Sequence, residues 1–172
     1  DVTLVLYDGA PTYPKASSLF ELVTKEQVAV FGASARYIAA LQQESYTPSG
    51  LNLDSLRVIL STGSPLAHES FEYVYRDIKA DLCLASISGG TDIVSSFVLG
   101  CPNLPVYAGQ IQCAGLGMDV QVWNDSGQHM VSEKGELVCA SPFPSAPIGF
   151  WGDADGSRYH EAYFDQFPNV WA

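Results

Sequence analysis

Between residues 2 and 87, short apolar runs alternate with segments whose apolar residues recur at helical spacing, and this alternation restricts the fold more than any other feature. Val2–Tyr7, Val28–Phe31, Leu56–Ser61 and Leu82–Ile87 read as strands, with Asp8-Gly9-Ala10-Pro11 turning the chain after the first. Ser17–Lys25 places Leu19, Phe20, Leu22 and Val23 at helical spacing behind a serine-rich cap region. Ser34 caps a helix to about Gln43 that carries Tyr37, Ile38 and Leu41. Pro48–Leu53 is a loop, and Pro65 opens a helix carrying Phe71, Val74, Tyr75 and Ile78. Strands that alternate with helices require crossover connections, and these produce a parallel sheet with helices on its faces.

After about residue 93 helical periodicity fades and Gly and Pro become frequent. Met118–Trp123 and Glu136–Ala140 are β-type runs, and Asn124-Asp125-Ser126-Gly127 has the residues of a hairpin turn. Ser157–Phe167 reads as a short helix with Tyr159, Tyr163 and Phe164 on one side. The expected class is α/β: a parallel sheet with flanking helices over residues 1–95, then a mostly β segment over 96–172. The chain stops at Asn169-Val170-Trp171-Ala172 without a cap or polar tail, so the β segment is expected to be incomplete at its C-terminal end.

Composition narrows the functions. With 172 residues, 47% hydrophobic and 16% charged, the chain is globular and long enough to bury a sizeable core. The net charge of −11, from 19 acidic and 8 basic residues, argues against nucleic-acid binding and against docking on an anionic membrane. It leaves nucleotides open, because backbone N–H groups and a metal ion hold phosphates without surplus Lys or Arg. No apolar run approaches the roughly 20 residues of a membrane span, and no basic segment marks a signal peptide. Cys83, Cys101, Cys113 and Cys139 lack zinc-cage spacing and read as reduced core residues, which makes a cytoplasmic setting the expectation.

The chain has no G-x-S-x-G elbow and no G-x-x-x-x-G-K-[ST] phosphate loop. Gly115-Leu116-Gly117 has no third glycine at dinucleotide spacing, and His68, His129 and His160 show no metal-ligand spacing. Two loops remain, each just beyond the C-terminal end of an expected parallel strand, where open α/β sheets bind ligands. Ser61-Thr62-Gly63-Ser64-Pro65 suits close backbone approach to a ligand and equally a plain strand-to-helix turn. Ser86-Ile87-Ser88-Gly89-Gly90-Thr91-Asp92 gathers three hydroxyls, two glycines and a carboxylate. Thr91 is suited to donate to a phosphate oxygen and Asp92 to reach Mg²⁺; a polar turn with Thr91 or Asp92 as a helix cap fits the same residues.

In order along the chain, these segments resemble the adenylate-forming superfamily of acyl-CoA synthetases, luciferases and nonribosomal adenylation domains. Its Y-G-x-T-E core is matched by Ser88-Gly89-Gly90-Thr91-Asp92 and its adenine loop by Gly63-Ser64-Pro65. A G-E-L block is matched by Gly135-Glu136-Leu137 and a G-[FY] pair by Gly149-Phe150. Leu60–Pro65, Ala85–Asp92, Pro142-Phe143-Pro144-Ser145 and Gly149-Phe150-Trp151 look most like its acetoacetate:CoA ligases. The resemblance implies part of the large N-terminal domain of such an enzyme, with ATP (leaving AMP), Mg²⁺ and CoA as cofactors and acetoacetate as the acid. It implies that Gly63, Ser64 and Pro65 lie along adenine, that Ser86, Ile87, Ser88, Gly89 and Gly90 line the nucleotide and acyl site, that Thr91 contacts the α-phosphate and acts in catalysis, and that Asp92 takes the place of the metal-binding glutamate.

Departures from the pattern alter what it implies. Ser88 replaces an aromatic that stacks on adenine, and Asp92 is one methylene shorter than glutamate, which favours a water-mediated metal contact. Gly89 stands where acetate-specific members carry tryptophan, so Gly89→Trp is expected to shift selectivity from acetoacetate toward acetate. The superfamily's Ser/Thr/Gly/Lys-rich phosphate loop, its ribose-binding G-D pair, its hinge and its lysine-bearing C-terminal domain have no counterpart in these 172 residues. The remainder of the enzyme's own chain is therefore an expected partner, and this chain alone is expected not to form acyl-adenylate. Another short-acyl-CoA synthetase, or a non-catalytic nucleotide-binding module, is the competing reading.

Overall fold

The computed structural model describes residues 2–172, which form two compact units: the residues up to Ser88 with Gly100–Gln112, and Gly89–Leu99 with Cys113–Ala172. In the first, a parallel sheet is built from β1 (Val30–Ser34), β2 (Val58–Thr62) and β3 (Cys83–Ser86), in that order. The crossovers carry helices, as parallel pairing demands: α2 (Ala35–Gln43) joins β1 to β2, and α3 (His68–Tyr73) joins β2 to β3, running into a π-helical turn at Val74–Ile78. Helix α1 (Ser18–Lys25) precedes the sheet and buries Leu19, Phe20 and Val23.

The expected cap at Ser34 is present. Its backbone is extended and its hydroxyl accepts the Tyr37 N–H at 3.1 Å, satisfying one orphan donor of the first turn of α2. The core joins Phe20, Tyr37, Ile38, Leu41, Leu56, Ile59, Phe71, Tyr73, Val74 and Leu84. Its two large phenols are satisfied by backbone carbonyls: Tyr37 donates to Ala16 at 3.0 Å and Tyr73 to Tyr46 at 2.6 Å. Gly100–Gln112 returns to this unit, and the Gln112 amide holds it together by accepting the Cys101 N–H and donating to the Cys101 and Leu104 carbonyls.

Two expectations for this unit change. Val2–Tyr7 is not a strand: it pairs with no described strand and leaves Val2, Leu4 and Leu6 exposed, because an apolar run becomes a strand only where a ladder partner takes up its backbone groups. Pro65 does not open α3. Residues 65–67 stay outside the helix, with Leu66 buried and Ala67 extended, and the helix begins at His68 without a side-chain cap.

The second unit is mostly β. Strands β4 (Ser88–Gly90), β5 (Ser95–Leu99) and β6 (Cys113–Ala114) form one small sheet in that order, with β5 antiparallel to β6. Antiparallel β7 (Val120–Trp123) and β8 (Glu136–Cys139) form another. At the expected hairpin turn Asn124 accepts the N–H groups of Ser126 and Gln128 through Oδ1, and Gly127 takes a φ of +74°. The segment returning from that turn makes a single bridge between His129 and Trp123, and β8 pairs with β7 only after a further excursion. Helix α4 (Ser157–Tyr163) is shorter than the expected Ser157–Phe167, because Phe167 turns away to meet Trp123 edge-on at 5.4 Å. Ile93, Met118, Cys139, Phe143 and Trp171 are its buried core. The four cysteines are free thiols, and no described helix is long and apolar enough to cross a membrane.

Ile59 lies on the middle strand of the parallel sheet at 2% exposure. Ile59→Ala is expected to destabilise the first unit by about 2–5 kcal/mol, read as a lower urea midpoint at unchanged far-UV circular dichroism in water.

Candidate functional site

The residues singled out in the sequence fall into two groups. In the first unit β2 ends at Thr62 and its parallel neighbour β3 at Ser86, with Ser61 opposite Ser86 in the register. The Ile87 N–H donates to the Ser61 carbonyl at 2.8 Å, extending the ladder one rung past β3. Gly63-Ser64-Pro65 and Ser86-Ile87-Ser88 therefore leave the same C-terminal edge of the sheet side by side, where open α/β sheets take ligands. Thr62, Gly63, Ser64 and Pro65 are exposed. Gly63 has a φ of +85°, the left-handed region that favours glycine, and a Cβ built on it would meet open space. Beneath the loop the Ser61 hydroxyl is fully buried without a hydrogen-bond partner among the described residues.

The rest of the motif belongs to the second unit. Gly89 and Gly90 lie on β4, and Thr91–Val94 is the turn into β5, so no helix begins at Thr91 or Asp92 and neither is a helix cap. A Cβ on Gly89 would run into the Ser95 carbonyl oxygen and the Ser96 Cα, which makes glycine a condition of the close β4–β5 approach. The Asp92 carboxylate folds back over Gly90, where a Cβ would meet Oδ1. Ile93 is buried in the core while Thr91, Asp92 and Val94 are exposed, and Val94 holds a φ of +48°, uncommon for a β-branched residue.

Asp92 also has a partner that the sequence did not indicate. The Tyr163 hydroxyl donates to Asp92 Oδ2 at 2.6 Å, and the Tyr163 ring stacks on Trp171 at 3.7 Å between centroids and 18° between planes. Desolvation among these rings, then the hydrogen bond to the Asp92 carboxylate and its charge, push the Tyr163 phenol up to about 12. The available signal was the placing of Tyr159 and Tyr163 on one helical side; nothing in the sequence linked position 163 to position 92.

No group of three or more His, Cys, Asp or Glu able to hold a metal occurs among the described residues. Asp92 and Thr91, adjacent in the turn, offer one carboxylate and one hydroxyl, too few to cage a metal by protein alone; they would fit a Mg²⁺ held mainly through a nucleotide's phosphates and water. His68 stands 3.7 Å from Glu72 on α3 and takes no part in either group. A cleft of about 1020 Å³ in the first unit, between residues 2–7 and the flank of α1 and β1, contains none of the candidate residues.

No protein-family model matches the chain. It is 56% identical over 170 residues, 98% of its length, to the acetoacetyl-coenzyme A synthetase of Rhizobium meliloti, of which it covers 26%. It is 47% identical over 171 residues to the acetoacetyl-CoA synthetase of Gallus gallus, covering 99% of this chain and 26% of that one. Among solved structures, the acetoacetyl-CoA synthetase from Streptomyces lividans superposes with a TM-score of 0.87 at 42% identity, over 96% of this chain and 26% of that one. The anthranilate CoA ligase AuaEII in complex with anthranoyl-AMP superposes at 0.76 with 18% identity, over 97% of this chain and 30% of that one, a likeness of fold. Fold and ordered sequence likeness together define a segment of the adenylate-forming class. Within it, the chain is a homologue of acetoacetyl-CoA synthetase and spans about a quarter of the length of the curated relatives it matches.

The raised Tyr163 phenol has a signed consequence. The unfolded chain releases this proton near the ordinary value of 10 and the folded chain near 12, so the associated stability is complete below 10 and is lost as pH rises through 12. The tyrosinate absorbance difference between wild type and Tyr163→Phe is expected to titrate at about 12. In Asp92→Asn it is expected to move down while staying above 10, because desolvation is the larger cause.

Proposed function

We propose that this chain supplies the adenine-loop and acyl-pocket segment of an acetoacetate:CoA ligase, in which ATP, acetoacetate and CoA give acetoacetyl-CoA, AMP and pyrophosphate through an acyl-adenylate. The observation that carries the reading is the 56% identity to a protein of that name, sustained over 98% of this chain. The emergence of both adenine-side loops from one C-terminal sheet edge supports it.

In this reading Gly63, Ser64 and Pro65 lie along the adenine, and the left-handed Gly63 keeps the loop clear of side-chain bulk. Ser86, Ile87 and Ser88 continue the nucleotide side, and the Thr91 hydroxyl donates to an α-phosphate oxygen. That donor acts on charge that builds as the carboxylate attacks phosphorus. Asp92, its carboxylate engaged by Tyr163, would be the residue that holds Mg²⁺, and the ion would supply charge neutralisation at the phosphates. Gly89 and Gly90 shape the acyl side. By chain order the proposed division is residues 1–95, carrying the adenine loop and Thr91–Asp92, and residues 96–172; by compact unit, Gly63–Pro65 belong to the first and Thr91–Asp92 to the second. The remainder of the enzyme's chain, acetoacetate, ATP and CoA are the partners, and the 172 residues alone do not form acyl-adenylate, in keeping with their quarter share of the relatives' length.

The test replaces the matching quarter of the Rhizobium meliloti relative by this chain. The chimera is expected to release pyrophosphate with ATP, Mg²⁺ and acetoacetate, and Thr91→Ala in it to lower kcat about 10²–10³-fold at unchanged thermal midpoint. The isolated chain is expected to show no turnover. A folded chimera that prefers acetate or propionate makes the chain part of a different short-acyl ligase. One that binds AMP without adenylating makes it a nucleotide-binding module.

A further inference from the structure

The turn Thr91–Val94 is tied to the second unit at two points. Ile93 plugs the core at 0% exposure, and the neighbouring Asp92 is held by the Tyr163 hydroxyl at 2.6 Å. Tyr163 is itself held from several sides. Its ring is stacked on Trp171, whose carbonyl accepts the Cys139 N–H at 2.9 Å, linking the pair to the end of β8. Its carbonyl accepts the Ala172 N–H at 3.1 Å. The helix that carries it is fixed at its start by Asp153, which accepts the Arg158 and Tyr159 N–H groups. Tyr159, one turn earlier, donates to the Pro147 carbonyl at 2.6 Å. The hydroxyl of Tyr163 thus projects from a braced platform onto a carboxylate in an exposed turn.

Ring packing does not require that hydroxyl. Phenylalanine would stack on Trp171 and meet Phe150, whose ring lies 5.6 Å away, equally well. The one polar bond made by the phenol is to Asp92 among the described residues, across 71 positions of sequence. It occupies one acceptor site of the carboxylate and restrains the rotation of the group, as an outer partner does for a ligating carboxylate.

We infer that Tyr163 is a positioning residue for the Thr91–Asp92 turn: its hydroxyl sets the orientation of the Asp92 carboxylate toward the magnesium–nucleotide phosphates. This deepens the proposed function and rests on it for the identity of the ligand. Tyr163 does not touch the reacting atoms and acts through Asp92 alone.

Two measurements on Tyr163→Phe decide it. In the 172-residue chain, amide hydrogen exchange is expected to accelerate several-fold at residues 90–94 and to stay unchanged at 136–139. In an Asp92→Ala background the same substitution is expected to add nothing. Equal rates at 90–94 in wild type and Tyr163→Phe, or acceleration spread over both segments, overturn the inference. In the chimera with the Rhizobium meliloti relative, Tyr163→Phe is expected to raise KM for Mg·ATP about tenfold and leave KM for CoA unchanged. An unchanged KM for Mg·ATP in an active chimera also overturns it. A chimera without acetoacetate-dependent pyrophosphate release defeats the functional reading instead, and the exchange rates then decide the Tyr163–Asp92 tie by themselves.

Discussion

The structure of the first unit depends on the pairing of β2 with both of its neighbours. A strand paired in parallel on two sides forces each connection to cross back over the sheet, so α2 and α3 are consequences of that register as much as of their own sequences. Burial follows from the same register, because Ile59 and Leu84 sit opposite one another and both reach the core. Each such side chain contributes about 1.5–3 kcal/mol when fully removed from water. The register also ends β2 and β3 at one level, and the added Ile87–Ser61 rung delays the departure of the second loop by one residue. The side-by-side placing of the two loops is therefore a property of the sheet, and the loops need no mutual contacts to achieve it.

The second unit is held by different means. Its strands fall into two separate small sheets, of three strands and of two, so no single ladder organises it. Rings take their place: Trp171 meets Phe97, Phe143, Tyr159, Tyr163 and Phe164 within 6.5 Å between centroids. Aromatic pairs contribute about 0.5–1.5 kcal/mol each beyond burial, and their value depends on geometry more than on area. A cluster of this kind fixes positions at its margin as well as its centre. The Asp92–Tyr163 bond lies at that margin, where a polar group can be held while remaining open to solvent.

How much of this the sequence disclosed follows from the range of the forces involved. Local signals were legible: the Ser34 cap and the Asn124–Gly127 turn depend on bonds spanning two to four residues, and both are present. The parallel sheet with flanking helices was legible because strand–helix alternation leaves few other solutions. Val2–Tyr7 misled, since an apolar run carries no information about whether a partner strand lies beside it. The start of α3 and the end of α4 were misplaced because burial of Leu66 and of Phe167 decided them, and neither is a local event. Tyr163 was seen only as one member of an apolar helical side. Its hydroxyl found Asp92 through tertiary packing, which no spacing rule encodes.

Gly89 shows how one residue can satisfy two requirements that sequence comparison merges. Set against acetate-specific relatives, its small size suggests room for a longer acyl group. In the structure the immediate neighbours of a side chain at 89 are the Ser95 carbonyl and the Ser96 Cα of β5. Backbone does not yield as a flexible side-chain tip does, so even alanine there would require β4 and β5 to separate. A tryptophan at 89 would thus be compatible only with a differently placed β5, and acyl room would be set by the two strands together. Gly89→Trp made alone changes strand spacing before it changes pocket size. A shift in acid selectivity from that single change would show that the new ring finds space on the acyl side; loss of the fold would show that the close approach of β5 is the prior constraint.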